Sequence, residues 1–122
     1  MTIIFNHEKE FEYIDAYSLE RDFKNGYTRP SLEVNLIVDY NEIAEIIKDV
    51  KHIRLIGNPI INEDGYVLEI PESEFIDYSI PGKISVEDGI TTFKVYRLSD
   101  TEIRVRDAEA AIDELLIAME EV

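Results

Sequence analysis

The chain has 122 residues, of which 45% are apolar and 32% are charged, and its formal net charge is −15. This length and apolar content predict a single globular domain over residues 1–122, and the absence of cysteine excludes disulfide bonds, thiolate catalysis and thiolate metal sites. The acidic excess disfavours direct binding to nucleic acid or to an anionic membrane, because recognition of phosphate needs lysine and arginine.

The first third of the chain has the two-residue period of β-strands. A short apolar run, TIIFN, precedes the segment EFEYIDAYSLE, in which a period of two places Phe11, Tyr13 and Tyr17 on one face and a mixed set of residues on the other. After the sequence KNG, apolar residues occupy every second position from Leu32 to Val38. Because proline donates no hydrogen bond to a strand ladder, Pro30 predicts the start of this strand or an edge position in the sheet.

The turn between these two strands is basic and aromatic in an otherwise acidic chain. Asn25 and Gly26 favour a tight hairpin turn, because both residue types tolerate the positive φ that such turns require. Lys24, Tyr27 and Arg29 flank the turn, and this composition is typical of interface anchors. The sequence therefore predicts an exposed partner-binding corner at these three residues. The competing interpretation is a solvated turn whose tyrosine packs on the sheet.

One helix is predicted inside the β-rich region. Asp39 and Glu42 have the spacing of a capping box. The apolar residues that follow at helical spacing are Ile43, Ile46, Ile47 and Val50. Short strands are predicted in HIRLIG, YVLEI and EFIDYSI, and KISVEDGITTFKVYRL has the composition of a hairpin with a two-residue turn at Asp88-Gly89. The fold class that follows is α+β, a mainly antiparallel β-sheet with one internal packed helix and a C-terminal helix.

The period of the sequence changes after Ser99. Either Ser99 caps a helix that begins there, or the chain stays extended and its helix begins near Asp107. Within residues 107–122, apolar residues recur at spacings of three and four, the pattern of a helix with one apolar face. The main residues of this face are Ile112, Leu115, Leu116 and Met119. Two interpretations stay open: the helix packs on its own sheet, or it mediates self-association in a homo-oligomer.

No motif for catalysis or for a cofactor is present. His7 and His52 lack the spacing of a zinc site. The periodicity places His52 at the C-terminal end of the internal helix, where a charged imidazole interacts favourably with the helix dipole. The sequence has neither a nucleophile elbow nor a glycine-rich phosphate loop. We therefore expect no enzymatic activity, no cofactor and no bound metal.

The charges are distributed unevenly along the chain. Residues 63–88 and residues 99–122 are strongly acidic, whereas several bases surround the first turn. This asymmetry is compatible with an oligomer in which the acidic surface of one subunit contacts the basic loop of the next. It is also compatible with an acidic protein that mimics nucleic acid and binds in the basic groove of another protein. Ordinary surface charge that keeps a small protein soluble explains the same distribution.

The order of the predicted elements supplies a resemblance. The segments that carry it are YTRPSLEV, DYNEIAEIIKDV, IRLIG, FIDYSI, ITTFKVYRL and AEAAIDELLIAMEEV. In this order they resemble small uncharacterised proteins encoded in the tail region of long-tailed bacteriophages and prophages of Gram-positive bacteria. The resemblance covers most of the chain from about Tyr13 onward. The segment NPIINEDGYVLEIPES is longer than this pattern requires, and residues 58–74 receive no role from it.

The resemblance implies a non-enzymatic structural or tail-associated protein that takes part in tail or baseplate assembly. Its partners would be other phage tail or baseplate proteins, with the C-terminal helix as a self-association element, and its location would be the virion or the host cytoplasm. The N-terminal sequence MTIIFNHEKEFEY predicts no signal peptide. The alternative is an acidic phage-encoded inhibitor that mimics nucleic acid and blocks a host defence or nucleic-acid-binding protein.

Overall fold

The computed structural model describes residues 1–24 and 26–120, and its mainly antiparallel sheet with two helices confirms the α+β class. The strands are β1 (Thr2–Phe5), β2 (Lys9–Lys24), β3 (Tyr27–Leu36), β4 (His52–Ile56), β5 (Ile60–Ile61), β6 (Val67–Glu69), β7 (Glu72–Ile76), β8 (Ile80–Glu87) and β9 (Ile90–Tyr96). The helices are α1 (Tyr40–Ile47) and α2 (Asp100–Glu120).

Seven strands form one antiparallel sheet in the order β7-β4-β1-β2-β3-β9-β8, and β5 pairs with β6 in a separate hairpin. The long strand β2 joins the two halves of the large sheet, since its first part pairs with β1 and its later part pairs with β3. The sheet curls strongly. The rings of Phe5 on β1 and Phe93 on β9 have centroids 5.7 Å apart, although β2 and β3 lie between these strands. Both halves therefore share one core.

Helix α1 packs against the core as its periodicity predicts. Asp39 is the N-cap, and its side chain accepts a hydrogen bond of 3.2 Å from the backbone N–H of Asn41. Ile43 and Ile47 are buried, and Val50 beyond the helix is buried with them. The helix ends at Ile47, so the placement of His52 at the helix end is wrong: His52 is the first residue of β4.

Pro30 is the fourth residue of β3, so the predicted strand-start position is wrong, and it lies just beyond the last β3–β9 pair, Ser31 with Tyr96. Strand β3 has β2 on one side and β9 on the other. The pairing of β2 with β3 shifts register at this point, since Leu19 pairs with Ser31 and Asp22 pairs with Arg29. Two residues of β2, Glu20 and Arg21, thus lie opposite the single residue Pro30 of β3, and this arrangement is a β-bulge. The Pro30 carbonyl accepts a hydrogen bond of 2.9 Å from the Arg97 N–H, so the proline nitrogen, which has no hydrogen to donate, faces the end of the β3–β9 ladder rather than the bulge.

Helix α2 begins at Asp100, so the start near Asp107 is wrong and the alternative start after Ser99 is confirmed. The side chains of Ser99 and Glu102 form a capping box: the Ser99 Oγ accepts from the Glu102 N–H at 3.2 Å, and the Glu102 carboxylate accepts from the Ser99 N–H at 2.9 Å. The predicted residues 121 and 122 of this helix lie outside the described part of the chain. Among the described helices, none has the length and apolar composition of a membrane span.

Candidate interaction surfaces

Helix α2 exposes its apolar side chains to solvent. No residue within Asp100–Glu120 is buried, so the interpretation in which the apolar stripe of this helix packs on its own sheet is wrong. We call one side the apolar face of α2; its residues are Val105, Ala108, Ile112, Leu115, Leu116 and Met119. The four residues predicted for self-association all belong to it, and their role in self-association stays a prediction.

Ion pairs at its first two turns hold α2 against the sheet. The guanidinium of Arg29 on β3 pairs with the Glu102 carboxylate, and it also donates a hydrogen bond of 3.2 Å to the backbone oxygen of Arg97. One turn later, Arg106 donates to Asp77 at 2.7 Å. We call Arg29, Glu102, Arg106 and Asp77 the basal joint. It fixes the start of the helix, and the residues beyond it extend away from the sheet.

The electrostatics of the basal joint follow from these pairs. The hydrogen bond from Arg29 lowers the pKa of Glu102 to about 2, and the hydrogen bond from the Ser99 backbone acts in the same direction. Asp77 also raises the pKa of Arg106 through the hydrogen bond that it accepts. Asp77 adopts a positive φ of 64°, and its backbone carbonyl accepts a hydrogen bond of 2.9 Å from Leu98 just before α2. The shifts in pKa favour the ionised forms of Glu102 and Arg106 at neutral pH.

The three residues of the predicted basic and aromatic corner, Lys24, Tyr27 and Arg29, have different environments in the structure. Arg29 is only 6% exposed, so its predicted exposure is wrong; α2 covers the side of β3 on which it lies. Tyr27 is 67% exposed, and the Arg29 guanidinium lies 5.5 Å from the centre of its ring. The ammonium of Lys24 lies 5.6 Å from the ring centre of Tyr96. Asn25 lies outside the described residues, and Gly26 has the predicted positive φ, at +79°.

The outer face of β3 and β9 carries a polar network that sequence reasoning missed. Asp22 accepts a hydrogen bond of 2.9 Å from Ser31 and forms an ion pair with Lys94. The hydrogen bond from Lys94 is the main cause that lowers the pKa of Asp22. Tyr96 lies beside this pair, with the Lys94 ammonium 5.6 Å from its ring centre. These residues are separated in sequence and meet only because three strands pair in this register.

A second exposed apolar surface is the β5–β6 hairpin, which we call the arm (residues 58–70). Its large apolar side chains are all exposed: Ile60, Ile61, Tyr66, Val67, Leu68 and Ile70. The Asn62 side chain shapes the turn by accepting hydrogen bonds from the Asp64 and Tyr66 N–H groups at 3.0 and 2.9 Å. At the root, the Gly57 N–H donates to the Pro71 carbonyl at 2.8 Å. The density of apolar residues around one turn was the sequence signal for this surface.

The two histidines meet in space although they are distant in sequence. Their rings stack with centroids 4.0 Å apart. His7 has a φ of +60° in the turn between β1 and β2, and the neighbouring Asn6 ties this turn to the chain after α1 by accepting from the N–H groups of Lys51 and His52 at 2.8 and 3.0 Å. No group of three or more His, Asp or Glu side chains in the described residues is arranged to hold a metal ion.

Comparisons with protein-family models, with curated proteins and with solved structures give no match. The candidate surfaces are therefore assigned from geometry and charge alone. The apolar face of α2 and the arm each gather several exposed apolar side chains, and both are formed by segments that leave the main sheet.

Proposed function

We propose that this protein is a non-enzymatic structural or tail-associated component of a phage or prophage that acts in tail or baseplate assembly through protein contacts. The observation that carries the proposal is α2, which is anchored at its base and presents an uncovered apolar face beyond it. Contiguous exposed apolar surface is typical of sites that bind other proteins, because contact removes that surface from water. The arm supplies a second surface of the same kind.

The phage setting is supported by the order of elements, which resembles tail-region proteins of long-tailed phages. Some acidic side chains are engaged by bases of the same chain and are not available to an acidic mimic of nucleic acid. Asp22, Glu72, Asp77 and Glu102 each pair with a lysine or arginine of the same chain. A mimic requires carboxylates that are free to replace phosphates in a basic groove, so internally paired carboxylates do not serve that role.

Purified particles from the phage or lysogen that encodes the chain test this proposal. Mass spectrometry should detect the protein in particles or in tail intermediates, and negative-stain microscopy after deletion of the gene should show incomplete or absent tails. Complementation with the unaltered gene should restore them. Normal tails after deletion, together with absence of the protein from all particles and intermediates, would overturn the proposal.

A salt series separates the proposed function from the mimic. Binding of an acidic mimic to a basic nuclease weakens steeply as salt rises, because it depends on unlike charges. Contacts through the apolar face of α2 or the arm should persist in high salt, since burial of apolar surface drives them. Tight, salt-sensitive binding to a nuclease, without binding to tail proteins, would favour the mimic.

A further inference from the structure

We propose that α2 pairs with α2 of a second copy of this chain as a parallel two-stranded coiled coil, in a register set by Arg104 of one copy and Glu109 of the other. This inference rests on the proposed function, because it names the partner of the apolar face. It goes further in fixing the orientation of the two chains, their stoichiometry and the charged pair between them.

The apolar face follows a heptad pattern over about two heptads. Val105, Ile112 and Met119 recur every seven residues at position a, and Ala108 and Leu115 occupy position d. Two of the three a residues, Val105 and Ile112, are β-branched and Leu115 lies at d, a combination that favours two parallel strands. Apart from Glu109, the acidic residues between 107 and 120 fall at positions b and c, outside the contact line: Asp107, Asp113, Glu114 and Glu120. The high negative charge of the helix therefore does not oppose pairing along this face.

The position of α2 on the sheet leaves this face accessible to a second copy. The residues that approach the sheet are Glu102, Ile103 and Arg106, which are partly buried. At 100° per residue, the centre of the apolar face lies roughly 140° around the helix axis from them. Val105, next to the basal joint in sequence, is accordingly exposed. Two helices can thus meet along their apolar faces while each sheet stays on the outside.

The remaining charges select the parallel orientation. Arg104 occupies position g and Glu109 occupies position e, five residues later. In a parallel coiled coil, position g of one helix lies beside position e of the next heptad in its partner, so this pair is attractive. The next such pair, Ala111 with Leu116, is apolar. An antiparallel pair brings e to e and g to g, so it cannot place Arg104 beside Glu109.

Arg104 and Glu109 are available for this pairing. Neither forms an ion pair with another described residue, whereas the other arginine of α2, Arg106, is engaged by Asp77 and Asp107. Residues five apart on a helix do not face each other, so Arg104 and Glu109 of one chain do not satisfy one another. A second copy supplies the missing partner to both, twice over by symmetry.

Two isoleucines of α2 provide a matched test of the contact face. Ile112 is 56% exposed at position a, and Ile117 is 57% exposed at position f, outside the contact line. Sedimentation equilibrium of the full chain should show a reversible dimer. Ile112→Ser should weaken dimerisation about a hundredfold or more, because two isoleucine side chains leave the contact, and Ile117→Ser should leave it unchanged. A monomer at all concentrations, or equal effects of the two substitutions, would overturn the proposal.

Engineered cysteines test the orientation, since the chain has no cysteine of its own. Ala108→Cys and Met119→Cys, introduced singly, should each form a disulfide-linked dimer under mild oxidation, because equivalent positions face each other in a parallel pair. In an antiparallel pair, residues of one number can meet only at the centre, so at most one of the two variants would cross-link. That outcome would overturn the parallel arrangement while leaving the proposed function intact.

Charge reversal tests the register. Arg104→Glu and Glu109→Arg should each weaken dimerisation about tenfold, because each turns two attractive pairs into two repulsive ones. The double substitution should restore affinity close to that of the unaltered chain, which is the signature of a direct pair in a double-mutant cycle. Additive weakening in the double variant would overturn the register. Incorporation into particles is measured separately, so a monomeric protein that still assembles into tails would refute this inference alone.

Discussion

Arg29 and Glu102 lie 73 positions apart in the chain and form an ion pair that joins the central sheet to the C-terminal helix. The arginine is almost fully buried, whereas the glutamate remains partly open to solvent. The same glutamate caps α2 by accepting from the Ser99 N–H. One carboxylate therefore both begins the helix and attaches it to the sheet.

Loss of the arginine should loosen the base of α2. Arg29→Ala removes the ion pair and the hydrogen bond to the Arg97 carbonyl, so the free energy of unfolding should fall by roughly 1–3 kcal/mol. Urea denaturation measures this change, and hydrogen exchange should accelerate in the first turn of α2. Arg97→Ala is the matched control, because the Arg97 side chain is more exposed and its only ion pair within residues 1–24 and 26–120, with Asp100, is 3.6 Å long. Equal effects of the two substitutions would contradict a structural role for the joint.

The same joint predicts a specific pH dependence. Glu102 has a pKa of about 2 in the folded protein against an ordinary value of 4.5, so its ionised form stabilises the fold above that ordinary value, and the stabilisation is lost as the pH falls through about 2. The difference in unfolding free energy between the unaltered chain and Glu102→Gln should be constant near neutral pH and should shrink towards about pH 2. If the difference in unfolding free energy between the two proteins does not change over this pH range, the lowered pKa of Glu102 is contradicted.

Gly82 should not tolerate a side chain. A Cβ at this position would lie 2.8 Å from the ring of Tyr96 and 2.9 Å from the backbone oxygen of Lys94. Gly82→Ala should therefore cost about 1–3 kcal/mol through displacement of the Tyr96 ring or of β9. Gly57→Ala is the control, because its nearest neighbour, the Pro71 side chain, would be 3.4 Å away. Thermal unfolding should separate the two variants, and equal melting temperatures would contradict the prediction.

The arm should be dispensable for folding. Its large apolar residues are all exposed, and Gly57 and Pro71 are already hydrogen bonded at its root. Replacement of residues 58–70 by an Asn-Gly turn should keep the circular dichroism spectrum of the sheet and change the unfolding free energy by no more than about 1 kcal/mol. If the arm binds an assembly partner, the variant should fold normally and yet fail to complement a gene deletion. Unfolding of the variant would instead assign the arm a role in the core.

The sequence alone determined those features that depend on neighbouring residues. The two-residue and helical periods predicted the antiparallel strands and the buried isoleucines of α1, and both are confirmed. The Asp88-Gly89 turn is also confirmed, with φ values of 52° and 78° between the paired residues Glu87 and Ile90. Such signals are readable because a turn or a helix start is specified within a few positions of the chain.

Only the tertiary structure decided which distant residues meet. The bulge opposite Pro30 depends on how β2 registers against β3, and the burial of Arg29 depends on where α2 crosses the sheet. A local pattern shows that a helix has an apolar face, but contacts between distant elements determine whether that face is covered. The sequence thus placed Ile112 on the apolar side of α2. That side is exposed to solvent because only the base of the helix is attached to the sheet.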